Sequence, residues 1–230
     1  MKINRPDNLP PYADLCLQAL ADNDLGHTFS LGGAFGLMHY FEYRSTYDVD
    51  AWWQPETTSA EQQQVISVLE AALNPFGSIR TRAWGDVVSI ELKTDAKKVF
   101  SFQIAHRSTQ LEPSTASPWQ GILLDSFNDL VASKVTALVE RGAPRDFLDI
   151  YTLCQENLVT PSRCWLLWRQ RQTLAGSDTQ STRARLAVQT HLARIEQHRP
   201  LNEISDVSTR TSAENVRKWY KTEFIDAIDN

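Results

Sequence analysis

The chain has 230 residues, of which 42% are hydrophobic and 22% charged, and its formal net charge is −5. This composition is that of a globular protein with one large or two small domains, and the negative charge argues against a protein that coats nucleic acid non-specifically. Because no segment has the apolar length of a membrane span and the N-terminal residues lack the apolar core of a signal peptide, we expect a cytoplasmic protein without membrane contact.

The first half of the chain alternates predicted helices and strands. Apolar residues at helical spacing predict helices, and segments with period-two alternation, rich in β-branched and aromatic residues, predict strands. The predicted elements are a helix ending near Asp24, a strand at 28–31, a helix beginning at Ala34, a strand beginning at Asp48, a helix at about 59–73, and strands at 84–93 and 98–106.

The second half is predicted to be helical after an exposed loop or linker at 107–120, which is rich in Pro, Ser and Thr. Helices are expected at about 127–141, 144–157, 161–174, 182–197 and 213–228. The fold class is therefore α+β. A small mixed sheet flanked by helices occupies residues 1–110, and a mostly helical domain, residues 111–230, completes the cleft. The cysteines Cys16, Cys154 and Cys164 show no metal-ligand spacing, so we expect buried, inert thiols.

The segment from Leu31 to Asp50 carries most of the functional information. Gly32 and Gly33 stand between a short apolar strand and a helix, where glycine allows a tight turn and lets a phosphate approach the backbone amides. Asp48 and Asp50 are separated by one residue on a predicted strand, so their side chains lie on the same face. Paired carboxylates beside a phosphate-binding turn favour Mg²⁺-assisted phosphoryl or nucleotidyl transfer, whereas an isolated Asp-x-Asp pair is more often a solvated face.

This arrangement resembles the first motif of the DNA polymerase beta-like nucleotidyltransferase superfamily. More narrowly, Gly32-Gly33-Ala34 followed by the segment from Tyr43 to Asp50 is similar to the AbiEii group, the toxins of type IV toxin–antitoxin pairs. A second block resembles a later motif of the same group, and it comprises Asp129, Lys134, Arg141, Arg145, Asp146 and Asp149. The resemblance covers roughly residues 28–155 and implies a polymerase-beta-like nucleotidyltransferase domain with NTP as substrate.

The resemblance also implies roles for individual residues. Asp48 and Asp50 would hold Mg²⁺, or Mn²⁺, on the triphosphate, which would lie against Gly32 and Gly33. The residues that would contact nucleotide phosphates are Arg44, Thr46, Lys134 and Arg141. Lys134 and Asp146 would also be catalytic residues together with the two metal-binding aspartates, and Asp149 would support them. Other interpretations stay open: Arg44 as a helix C-terminal cation, Lys134 as a surface lysine, and Asp146 and Asp149 as residues that stabilise their helix.

The sequence departs from the superfamily pattern at the third metal-binding carboxylate. Gln103 occupies the expected position, and its amide oxygen can coordinate a metal but carries no charge. Glu91, on the preceding strand, is the substitute candidate, although it also fits a solvent-facing strand position. Trp52 is predicted to lie on the carboxylate face, either as a border of the nucleotide or as a residue of the core or the cleft wall.

A basic stretch between residues 163 and 199 suggests a surface for RNA, since arginine forms forked contacts with phosphate and aromatic rings stack on unpaired bases. The alternative is a solvated helical face. The arginines proposed to contact RNA are Arg163, Arg169, Arg171, Arg183 and Arg185, and Trp165, Trp168, His191 and His198 lie among them.

Three functions follow from these observations. The leading one is a Mg²⁺-dependent nucleotidyltransferase that moves a nucleoside monophosphate to an acceptor, such as a tRNA 3′ end, as a toxin restrained by a separate antitoxin. The second is a nucleotide- or partner-binding module of the same fold that lost catalysis with its third carboxylate. The third is a nucleotidyltransferase that acts on a small molecule, as antibiotic-modifying enzymes do.

Overall fold

The computed structural model describes residues 1–229, which form two compact units, 1–130 and 131–229. The strands of the first unit build one seven-stranded mixed sheet in the order β3-β4-β5-β2-β1-β7-β6. The strands are β1 Phe29–Gly32, β2 Asp48–Trp53, β3 Ser78–Trp84, β4 Val87–Thr94, β5 Lys97–Ala105, β6 Thr115–Ala116 and β7 Leu123–Leu124. The helices of this unit are α1 Ala13–Asp22, α2 Gly33–Met38 and α3 Ser59–Leu73.

The predicted mixed sheet is confirmed, and its register explains which side chains share a face. Strand β2 pairs antiparallel with β1 and parallel with β5. Strands β3, β4 and β5 form an antiparallel meander, while β7 pairs parallel with β1. Because side chains alternate along each strand, residues paired across the sheet point to the same side.

One face of the sheet is buried in the main hydrophobic core. Val49, Phe100, Phe102 and Ile104 contribute to this core together with apolar residues of α1 and α3. Helix α3 begins where predicted because Thr58 and Glu61 form a capping box, in which each side chain bonds the other residue's backbone amide. The opposite face of β2 and β5 is therefore the one available for polar side chains.

The structure differs from the sequence-based expectation at three places in this unit. Strand β3 is absent from that expectation, because as an edge strand it is exposed on both faces and gives no clear apolar alternation. The segment 107–120, expected to be an exposed loop, contains β6 and the buried Trp119. Since β6 and β7 extend the sheet, the first unit continues to Leu130 rather than ending near residue 110.

The second unit is helical, as predicted. Its helices are most of α4 Phe127–Glu140, followed by α5 Pro144–Gln155, α6 Pro161–Leu174, α7 Ser181–His198 and α8 Val207–Trp219. Buried aromatic rings hold it together: the Trp165 indole donates to the carbonyl of Phe224, and the Tyr220 hydroxyl donates to the carbonyl of Phe147. Among the helices of residues 1–229, none combines the length and apolar character required to cross a membrane.

Candidate active site

The double glycine occupies the junction of β1 and α2, as the sequence predicts. Gly33 has φ +58°, a conformation that residues with a Cβ atom rarely adopt. A Cβ atom on Gly33 would lie 2.7 Å from Cβ and 2.8 Å from Cγ of Asp50, and one on Gly32 would lie 2.7 Å from Cδ1 of Trp52. Glycine is therefore required at both positions, because the side chains of β2 fill the space beside the turn.

Asp48 and Asp50 lie on the same face of β2, as alternation predicts. Along this strand Asp48, Asp50 and Trp52 are partly exposed, whereas the residues between them are buried in the core. Gly32 pairs with Asp50 in the antiparallel register of β1 and β2. The structure thus brings the carboxylate pair directly beside the glycine turn, and α2, at six residues, adds only a short helix behind it.

Neighbouring polar groups hold the Asp48 side chain and backbone. The Ser101 hydroxyl donates to Oδ1 of Asp48 over 2.7 Å, and the Lys98 ammonium lies 3.1 Å from the same oxygen. The Thr46 hydroxyl lies 3.3 Å from the carbonyl and 3.4 Å from the amide nitrogen of Asp48. The resemblance implies Thr46 as a phosphate ligand, whereas its observed partner is the backbone of the first aspartate.

The register places Gln103 beside the carboxylate pair. Gln103 of β5 is paired with Asp50 and Ser101 with Asp48, so all four side chains point to one face. Glu91 of β4 is paired with Ser101 and therefore lies two strands from Asp48. Its carboxylate accepts a hydrogen bond from Arg82 over 2.9 Å and is largely buried. Of the two candidates for a third ligand, Gln103 is the one adjacent to Asp50.

Arg44 does not lie at a helix C-terminus, because α2 ends at Met38. It belongs to the loop that leads into β2, where its guanidinium is 5.7 Å from the Tyr43 ring centroid and donates to the carbonyl of Ser45 over 3.3 Å. The loop position explains how a cation six residues beyond the helix reaches the neighbourhood of β2. Its contact with a nucleotide phosphate stays a prediction.

A buried polar network behind Trp52 was not found from the sequence. The Arg107 guanidinium lies 5.8 Å from the Trp52 ring centroid, 2.7 Å from a carboxylate oxygen of Asp125 and within hydrogen-bond reach of the Ser30 hydroxyl. Burial raises the pKa of Asp125, while Arg107 and Ser30 oppose that increase. Alternation along β1 places Ser30 on the same face as Gly32, but the pairing of Arg107 with Asp125 depends on the fold.

The second family motif contributes an ion cluster to the helical unit, made by four of its residues: Lys134, Arg141, Asp146 and Asp149. The Lys134 ammonium lies 2.7 Å from Asp149 and 3.7 Å from Asp146, and Arg141 donates to both oxygens of Asp146 over 2.9 and 3.1 Å. Both aspartates are buried, and the Lys134 side chain is 9% exposed. Lys134 is therefore not a snorkelling surface lysine. The catalytic and nucleotide-binding roles of Lys134, Arg141 and Asp146 stay predictions.

Most arginines of the basic stretch contact groups within the helical unit. Arg171 is buried, Arg169 donates to the carbonyl of Ile228, Arg183 pairs with Asp178, and Arg185 pairs with Asp229. Arg163 is exposed at the start of α6. Trp165 and Trp168 are buried, so they are core residues and the expectation that they stack on bases is wrong.

The thiols are unreactive at two of three positions. Burial raises the pKa of Cys16 to about 12, and burial beside Cys154 also raises that of Cys164. Cys154 is half-buried, with its sulfur 4.0 Å from that of Cys164.

A family model described as "Nucleotidyl transferase AbiEii toxin, Type IV TA system" matches residues 15–226. The chain belongs to the AbiEii family. Membership makes it a toxin of the nucleotidyltransferase class, with an NTP as substrate and an antitoxin as partner. The match extends beyond the two motifs on which the resemblance was based and includes all the helices from α4 to α8. A comparison with curated proteins found no match.

The donor set of this AbiEii chain suits the hard divalent ion that nucleotidyltransferases usually employ. Asp48 and Asp50 present carboxylate oxygens on one face, with the Gln103 amide alongside. Within residues 1–229 no group of three His, Cys, Asp or Glu side chains is placed to hold a metal by itself. Mg²⁺ is commonly bound by one or two carboxylates together with substrate phosphates, so these residues fit an ion that arrives with the nucleotide.

Proposed function

We propose that this AbiEii-family toxin is a Mg²⁺-dependent nucleotidyltransferase that transfers a nucleoside monophosphate from an NTP to the 3′ end of tRNA in the cytoplasm. The observation that carries the proposal is the position of the Asp48 and Asp50 carboxylates on the open face of β2, beside the positive-φ glycine at the start of α2. Mg²⁺ is usually bound by one or two carboxylates together with substrate phosphates, and two carboxylates beside a turn that admits a phosphate match that arrangement.

Three neighbours of the pair support this arrangement. Ser101 and Thr46 fix the side chain and backbone of Asp48, and Gly33 leaves room for the Asp50 carboxylate. Bound Mg²⁺ would neutralise charge on the triphosphate and on the leaving pyrophosphate. The acceptor oxygen forms a bond to the α-phosphorus while the bond from that phosphorus to the bridging oxygen breaks. Pyrophosphate leaves, and the hydroxyl proton passes to water.

RNA as acceptor is supported by the net positive charge of the helical stretch from residue 163 to residue 199. Arg163, Arg169 and Arg183 are exposed there, so a phosphate backbone can reach them, although Arg169 also donates to the carbonyl of Ile228 and Arg183 pairs with Asp178. Arg171 is buried and Arg185 is half-buried, which reduces the RNA surface to fewer arginines than the sequence suggests.

Gln103 favours a second candidate, a nucleotide-binding module with weakened catalysis, because it places a neutral amide beside Asp50. A third candidate is transfer to a small hydroxylated compound. Each candidate gives a different result when the purified chain is incubated with α-labelled NTPs, Mg²⁺ and either total tRNA or an aminoglycoside.

The transfer assay distinguishes the three functions directly. Label on tRNA supports the proposal, NTP binding with no transfer supports the binding module, and label on the aminoglycoside alone supports the small-molecule enzyme. Asp50→Asn is expected to abolish transfer. Asp95→Asn is the matched control, because Asp95 lies in the β4–β5 turn at φ +50°, where asparagine is well tolerated. Loss of transfer in both variants, or in neither, contradicts the proposed role of Asp50.

A further inference from the structure

A lysine occupies part of the space beside the first aspartate. The Lys98 ammonium lies 3.1 Å from Oδ1 of Asp48 and 3.3 Å from the Ser101 hydroxyl, which itself donates to that oxygen over 2.7 Å. The Asp48 side chain is 27% exposed and that of Lys98 is 43% exposed, so the pair lies at the rim of the open face. Oδ1 of Asp48 therefore already has a cation and a hydroxyl donor.

The residue paired with Asp50 adds no negative charge to the site. Gln103 is paired with Asp50 and is neutral, and its amide nitrogen lies 3.4 Å from the Ser101 hydroxyl. Glu91 lies two strands from Asp48 and is bonded to Arg82. In the part of the chain from residue 1 to residue 229, no third acidic, His or Cys side chain joins Asp48 and Asp50 in a metal-binding group.

Charge balance decides between one ion and two. Paired metal ions in transfer enzymes lie about 3.5–4 Å apart, so their mutual repulsion must be offset by closely placed carboxylates. Within residues 1–229 no third acidic side chain joins the two aspartates, and one of the two is already paired with an ammonium, so the site suits a single divalent ion accompanied by triphosphate oxygens. A second ion at Asp48 would also have to displace the Lys98 ammonium.

We propose that the site binds one divalent ion, delivered with the NTP, and that Lys98 supplies at Asp48 the positive charge that a second ion would otherwise provide. The inference rests on the proposed nucleotidyl transfer and makes Lys98 a positioning residue, because it acts through Asp48. Gln103 is the second determinant, since a neutral side chain beside Asp50 lowers the attraction for another ion.

The test counts ions rather than activity. The chain is saturated with Mn²⁺ and the α,β-methylene analogue of the NTP that gives transfer. After gel filtration in Mn²⁺ buffer, the bound Mn²⁺ is released with acid and measured by electron paramagnetic resonance. We expect one Mn²⁺ per chain in the wild type and two in Lys98→Met/Gln103→Glu. The matched control is Lys97→Met/Gln103→Glu, which gains the same carboxylate and loses an adjacent exposed lysine, and we expect it to bind one.

Each result separates the inference from the proposed function. Two ions in the wild type overturn the inference but leave nucleotidyl transfer intact. No bound Mn²⁺, or no NTP that gives transfer, overturns the proposed function itself. If Lys98→Met/Gln103→Glu binds one ion, or if the control Lys97→Met/Gln103→Glu binds two, Lys98 does not determine the number of bound ions. Circular dichroism of each variant establishes that a changed count does not come from unfolding.

Discussion

Replacing Gly33 by alanine tests whether the double glycine serves the aspartate pair or only the turn. The new Cβ would lie 2.7 Å from Cβ of Asp50, about 0.7 Å closer than the 3.4 Å at which ordinary van der Waals contact begins. The chain must also keep φ near +58° at this residue. Both effects act on one residue, but only the first displaces the carboxylate.

The expected losses differ in size and in kind. A residue with a Cβ in the left-handed region costs roughly 1–2 kcal/mol of stability. Displacement of a ligating group by nearly 1 Å lowers the rate by about 100-fold. We therefore expect Gly33→Ala to lose about 2 kcal/mol in the free energy of unfolding and about two orders of magnitude in kcat/KM.

Gly85 provides the control, because it has φ +51° but no atom within 4 Å of the position that a Cβ would take. Gly85→Ala is expected to lose a similar free energy of unfolding and to keep its kcat/KM. Urea unfolding gives the stability of both variants, and transfer of α-labelled NTP gives the activity. If Gly33→Ala retains wild-type activity, or if Gly85→Ala loses as much, the glycine does not act through Asp50.

Three further predictions concern pH, a buried ion pair and metal. Burial lowers the pKa of His39 from 6.5 to about 4, so the folded chain takes up this proton less readily than the unfolded chain. The difference contributes about 3 kcal/mol to the free energy of unfolding, which is complete above pH 6.5 and is lost as the pH falls toward 4. Urea unfolding across this range should show a steeper loss for the wild type than for His39→Leu, and equal slopes would refute the assignment. Lys134→Met removes the ammonium 2.7 Å from buried Asp149 and should lower the free energy of unfolding, measured in urea, by about 3–5 kcal/mol. Lys221→Met, which breaks an exposed pair with Glu196, should lower the free energy of unfolding by about 1 kcal/mol or less. Equal losses in the two variants would contradict the expectation that the buried pair is the more costly one to break. EDTA should abolish transfer without changing the melting temperature, because no structural metal cluster occurs within residues 1–229; a lower melting temperature would argue for one.

The glycine turn and the aspartate face were predictable because both depend on local geometry. Strand alternation alone places Asp48, Asp50 and Trp52 on one side of β2, and a double glycine between apolar segments indicates a tight strand-to-helix turn. The pairing of Gln103 with Asp50 was harder to predict from the sequence. It depends on β5 lying parallel to β2 after the β3–β4 hairpin, and a register shift between Leu92 and Lys93 changes which residues of β5 face which partners.

The contacts of Lys98 and Arg107 could not be predicted from spacing. Lys98 is 50 residues from Asp48, and Arg107 is 18 residues from Asp125 in a segment that its composition marks as a loop. Only the sheet order brings each pair together. The same reason explains the misinterpretation of Trp165 and Trp168, since a helical pattern does not tell which face is covered by the C-terminal turns that contain Phe224.

The second motif illustrates how burial restricts the function of charged residues. Asp146 and Asp149 are at most 1% exposed, so neither carboxylate is accessible to a triphosphate in this conformation. Their oxygens instead hold Lys134 and Arg141. An ion pair of this kind is weakly stabilising as a whole but costly to break, because a lone buried charge remains. Within the helical unit the two carboxylates hold the Lys134 ammonium in place, whereas the catalytic role of Asp146 and the nucleotide contacts of Lys134 and Arg141 stay predictions.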